Sequence, residues 1–110
     1  MNSYMIILLL LLKGEYRTKY LSSVNTNFIK ENYPDLHKLY IALQSIPEGL
    51  DASLDDLKLT YLSLYPNAKP SVFEALFQTL SSQVYSEEIA KEALERSYQR
   101  EQALILAKEA

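Results

Sequence analysis

With 110 residues, the chain is most simply one domain, able to bury a real but modest core. It carries no cysteine, which excludes disulfides, thiolate chemistry and zinc sites of the cysteine type and fits an intracellular protein. A net charge of −3, with lysine and arginine scattered rather than gathered into a run, argues against tight binding to a phosphate backbone by this chain alone.

Met5 to Leu12 is an unbroken apolar run. It is too short to cross a bilayer, no basic residue precedes it, and Lys13-Gly14-Glu15 follows where a signal peptidase would need small residues. A buried first helix closed by Gly14 as C-cap is the favoured reading, with a strand as the alternative for so short a run. Tyr16, Tyr20 and Leu21 share one helical side, so Glu15 to Ser22 is expected to be a short second helix, and the polar stretch from Ser22 to Asn27 a loop.

Pro34 suits the first turn of a helix, with Asp35 beside it near the positive end of the dipole. Leu36, Leu39, Tyr40 and Leu43 then follow the i, i+3, i+4, i+7 pattern, which predicts a helix to about Ile46 and a turn over Pro47 to Ala52. Ser53-Leu54-Asp55-Asp56 resembles a capping box and opens a helix whose Leu54, Leu57, Tyr61, Leu64 and Tyr65 share a face until Pro66. Pro70 and Ser71 open another, with Phe73, Leu76, Phe77 and Leu80 inward, and Ser81 to Tyr85 is the last connector.

From Ser86 to Ala110 no glycine or proline interrupts a run of strong helix formers, with Ser86 as N-cap and Glu87 and Glu88 in the first turn. Ile89, Ala90, Ala93, Leu94, Ser97, Leu104 and Ile105 fall on one face, expected to be buried; Lys91, Glu92, Glu95, Gln99 and Gln102 fall opposite. Glu87 with Lys91 and Glu92 with Arg96 are acid-before-base pairs at i,i+4. Leu106 projects onto the polar face and Arg100 into the stripe of small residues. No stretch alternates with period two, so the fold class is all-α: a compact body of about five short helices over 1–85, then one long helix over 86–110.

No catalytic constellation emerges, and no cofactor or metal is expected. Gly14 and Gly49 are isolated, so no phosphate-cradling loop exists. His37, the only histidine, flanks an apolar face and reads as a packed or rim residue. Asp51, Asp55 and Asp56 lack the glycine and glutamate of a calcium loop and read as capping residues. The nine tyrosines read first as amphipathic core edge, with some available for partner contact.

The helix order and the closing segment make the chain resemble the N-terminal domain of DnaB-type replicative DNA helicases, those of bacteriophages especially. The likeness runs through Met5 to Leu12, Phe28-Ile29 with Asp35 to Leu43, Leu54 to Leu57, and Leu94 to Glu101. It implies a domain without ATPase activity that builds the collar of a hexameric ring, offers a docking surface to primase or a helicase loader, and makes no direct nucleic-acid or membrane contact. It implies the cytoplasm of an infected bacterial host, and it makes the last helix the first arm of a helical hairpin. The ATPase domain and the second arm are not in these residues. Self-association, as a dimer or a ring collar, would then engage Tyr98, Arg100, Glu101, Leu104, Ile105 and Leu106. The alternative reading is a stand-alone small helical phage adaptor that binds a host protein.

Overall fold

The computed structural model describes residues 3–109, and the side chains of residues 4–100. The order is α1 Ser3–Leu10, α2 Gly14–Tyr20, a 3-10 turn Leu21–Ser23, α3 Thr26–Asn32, α4 Pro34–Gln44, α5 Leu54–Leu64, α6 Pro70–Ser81 and α7 Glu87–Glu109. No strand occurs among the described residues, and the fold is all-α.

Local chemistry places most of these boundaries. Pro34 and Pro70 open α4 and α6 at the first helical position, where a missing N–H costs nothing. Ser53 and Asp56 form a reciprocal capping box: Ser53 Oγ accepts from the Asp56 amide at 3.1 Å, and Asp56 Oδ2 from the Ser53 amide at 2.8 Å. Ser86 Oγ accepts from the Ile89 amide at 3.4 Å at the start of α7. The α3 helix takes the last two residues of the stretch expected to be a loop and runs beyond it to Asn32. Asn25 caps it, its Oδ1 accepting from the Phe28 amide at 3.1 Å, and only Ile29 of its seven residues is buried. So short a helix with one inward residue has no periodic signature.

The core follows α1. Leu8, Leu10, Leu11 and Leu12 are buried with Leu36, Leu39, Tyr40, Ala42 and Leu43 of α4, Leu57 and Tyr61 of α5, Phe73, Phe77 and Leu80 of α6, and Ala90 and Leu94 of α7. The α4 helix packs against α3 and α5, while α1 lies against α6 and α7. Tyr40 is fully buried, its hydroxyl donating to the Tyr4 carbonyl oxygen, and burial pushes that hydroxyl far above its ordinary pKa. Tyr61 joins α5 to α6 through ring contacts with Phe73 at 6.4 Å and Phe77 at 6.1 Å. The tyrosines of the central helices are therefore core residues with a satisfied or solvated tip.

Gly14 corrects the expected end of the first helix. It is not a C-cap with positive φ; it is the first residue of α2, following a turn at Leu11–Lys13. Its lack of a side chain serves close approach, because a Cβ there would lie 2.8 Å from the Leu50 nitrogen and closer still to the Gly49 carbonyl. Gly49 is the glycine in the left-handed region, at φ 79°, in the turn after Pro47. The Gly14 amide donates to Asp51 Oδ1 at 2.8 Å, so Asp51 joins two segments of backbone. Asp51 and Asp56 thus stand in the capping roles expected of them, and among the described residues no group of three acidic, histidine or cysteine side chains is placed to hold a metal. Half-buried His37 sits at the rim of α4.

Candidate functional site

The body presents α7 with an unusual docking stripe. Glu87, Lys91, Leu94 and Tyr98 recur at i, i+4, i+7 and i+11, and this side meets α2. Lys13 at the head of α2 pairs with Glu87, and the Lys91 ammonium lies 5.6 Å from the Tyr16 ring. The Tyr20 hydroxyl donates to Glu95, Lys19 lies 3.6 Å from the same carboxylate, and the Tyr98 ring meets that of Tyr20 edge-on at 5.5 Å. Lys19 is also stacked 5.0 Å from Tyr20 and 5.9 Å from Tyr98. The expected Glu87–Lys91 pair is replaced by these contacts with α2, whereas Glu92 and Arg96 pair as expected at 3.1 Å.

This stripe rotates the helix away from its expected orientation. Ala90 and Leu94 are buried, but Ile89 is 70% exposed and Ala93 is exposed as well. The expectation that Ile89 and Ala93 face the core is thus overturned, since the charged and aromatic side chains supply the attachment and the apolar pair is left outside. The residue signal for this was present as a spacing, but it was written in types that read as solvated.

The outward side has shape. Between α1 and α7 runs a groove whose first part, about 330 Å³, is lined by Ile6 and Ile7 on one wall and Val84, Tyr85, Ile89 and Ala93 on the other. Val84 is 87% exposed. Ile7 also lines a second hollow, about 170 Å³, where the 23–25 segment joins α1 and α7 and Tyr4, Asn25, Ser97 and Arg100 stand among Val24 and Leu94. The two hollows thus share Ile7, the first almost wholly apolar and the second mixed. Arg100 makes no ion pair among the described residues, whereas its neighbour on the same face, Arg96, is held by Glu92.

A larger hollow of about 480 Å³ lies between Arg17, Leu21, Leu43, Ile46 and Glu48. Its one buried cation is already engaged. Arg17 Nη1 donates to the carbonyls of Leu11 at 3.0 Å and Leu12 at 3.2 Å, and Nη2 to those of Pro47 at 2.9 Å and Leu50. Desolvation lowers the guanidinium pKa, with the charge of Asp51 opposing it. The arrangement closes the corner between α1, α2 and the 47–51 turn, and nothing in the sequence singled Arg17 out.

Of the residues expected to mediate self-association, Tyr98 is half-buried against Tyr20 and Arg100 lines the polar end of the groove. The side chains of Glu101, Leu104, Ile105 and Leu106 lie outside the described residues, although their backbone belongs to α7. Among the described residues no helix is long and apolar enough to cross a membrane. No family model, no curated protein and no solved structure matches the chain.

The seam has a pH dependence whose sign follows from its hydrogen bonds. The Tyr20 hydroxyl, and after it Lys19, hold the Glu95 carboxyl below the usual glutamate value. A depressed folded pKa contributes stability that is present above the unfolded value and lost as pH falls through the folded one; Asp56, held down by its cap to Ser53, acts with the same sign. The urea midpoint is therefore expected to fall on acidification through the carboxylate range, and to fall less steeply in Glu95→Gln. Superimposable pH profiles for the two proteins would remove Glu95 from the acid response.

Proposed function

We propose that the chain is a non-catalytic protein-interaction and oligomerisation domain of a phage-type replicative DNA helicase, supporting hexamer assembly and the docking of primase or a helicase loader. The observation that carries this reading is the uncovered apolar wall of Val84, Ile89 and Ala93 beside Ile6 and Ile7. Exposed apolar side chains gathered beside one groove offer a partner a place to bury its own apolar surface. It lies on the helix that the resemblance makes an assembly element, and Leu104, Ile105 and Leu106 extend the apolar content of that helix. The all-α body accords with the resemblance. In this reading ATP hydrolysis and strand separation belong to a separate ATPase domain, and the cytoplasm of an infected bacterium is the working compartment.

Sedimentation of the chain over a range of concentrations tests the assembly claim. Self-association is expected, weakened about tenfold or more by Leu104→Glu or Ile105→Glu, since either places a charge in an apolar contact. A strict monomer at high concentration, unchanged by both substitutions, would sink it. The same groove also suits a stand-alone adaptor that captures a helix of a host protein, a reading that predicts the monomer.

A further inference from the structure

Building on that protein-interaction reading, we propose that the α1–α7 groove is a docking site for one kind of partner segment: an amphipathic helix with an acidic residue at one end. The length, the polarity and the uncompensated charge of the groove each contribute to the assignment.

From Ser86 to Arg100 the α7 wall extends about 21 Å at 1.5 Å per residue, the length of roughly four helical turns. Along it Val84, Tyr85, Ile89 and Ala93 present apolar surface, and Ile6 and Ile7 of α1 close the other side. The long α7 wall beside the short Ile6–Ile7 ledge accepts the apolar stripe of a helix, which needs anchors at i, i+3 or i+4, and i+7 and leaves its own backbone hydrogen bonds intact. An extended strand would need unpaired backbone donors and acceptors, and two helices offer none along their flanks.

The polar end specifies the charge. Arg100 lies eleven residues beyond Ile89, three turns farther along the same side of α7, where Ser97 and Asn25 also line the second hollow. Asn25 Oδ1 is committed to the Phe28 amide, and Arg96 is committed to Glu92. Arg100 is thus the cation that a bound helix would meet, with no ion pair of its own among the described residues. A carboxylate of the partner placed about eleven residues beyond its first apolar anchor meets that guanidinium, and a lysine there meets a like charge. The segment recognised is therefore an acid-tipped amphipathic helix, and the guanidinium sets its direction in the groove.

The probes are two fluorescein-labelled, hydrocarbon-stapled peptides of about fifteen residues, long enough to span the groove. Both carry leucines at i, i+4 and i+7; one has glutamate and the other lysine at i+11. Anisotropy with the full chain is expected to show the glutamate peptide binding about tenfold tighter than the lysine peptide, a preference that disappears in Arg100→Met. Ile89→Glu is expected to abolish binding of both. These positions are exposed, and an unchanged circular dichroism melt verifies that each variant is folded. Equal affinity for the two peptides, a preference that survives Arg100→Met, or no binding by either overturns the proposal. So does Ile89→Glu converting a dimer to a monomer with no peptide bound, which assigns the groove to a second copy of the chain. The assembly claim is read separately, from sedimentation of the Leu104→Glu and Ile105→Glu variants, so failure of either is recognisable without the other.

Discussion

Arg17→Leu is expected to remove about 3 kcal/mol of unfolding free energy and to lower Tm by roughly 10–20 °C. Leucine matches much of the buried stem, and replacing a buried charge by an apolar residue is often tolerated when its partners are replaced too. Here the partners cannot be replaced, because they are the backbone carbonyls of Leu11, Leu12, Pro47 and Leu50. Leu12 and Pro47 each retain one donor, the Ala52 amide at 2.9 Å and the Leu50 amide at 3.2 Å, but the corner loses the group that ties the end of α1 to the 47–50 turn. Each orphaned buried acceptor costs about 1–3 kcal/mol, partly recovered where water can enter. Arg17→Lys keeps the charge yet presents one ammonium where a planar fork reaches both segments, so it is expected to recover less than half of the loss. Urea unfolding followed by circular dichroism is the measurement, and a deficit below about 1 kcal/mol for Arg17→Leu would show that the corner holds without the fork.

Gly14→Ala is the second large effect, and helix propensity predicts its sign wrongly. In an unhindered helix the change gains about 1 kcal/mol. At this position the new methyl carbon enters the space of the Gly49 carbonyl and lies 2.8 Å from the Leu50 nitrogen, all backbone atoms that no rotamer change can move aside. The turn they belong to is held by Arg17 and by the left-handed conformation of Gly49. A loss of about 3 kcal/mol is expected, the upper part of the range for over-packing. Equal or greater stability in chemical unfolding would mean that the turn gives way cheaply. The two variants share one locus, and their double mutant is expected to lose less than the sum, because the turn that each disturbs is the same.

How far the sequence disclosed this architecture depends on the range over which each feature is written. Caps and proline starts lie within four residues of what they control, and Ser53, Pro34, Pro70 and Ser86 stand at the expected helix starts. The inward faces of α4 and α6 were legible because ordinary apolar residues recur there without competition. Features set by distant partners were not. Gly14 resembles a terminator until Gly49 is placed beside it, Arg17 resembles a surface residue until two stretches of carbonyls converge on it, and Ile89 resembles core until α2 takes the charged side of α7. The groove inherits that last error: it is built from the face that periodicity assigned to the interior. Arg100 was noticed as an intruder in a small-residue stripe, and its place at the polar end of the groove gives that observation a location.

The position of α1 bears on the order of synthesis. This is the most apolar helix described, and besides α4, whose Tyr40 reaches Tyr4, it packs against α6 and α7. A ribosome therefore releases Met5 to Leu12 well before α6 and α7, two of the elements that cover them, while α3, α4 and α5 can already pack among themselves. Until α6 and α7 emerge, the side of this leucine-rich segment that they cover stays open, the kind of surface that chaperones hold and that aggregates when they do not. The α1 segment is therefore fully covered only once α7, which begins at Glu87, has emerged.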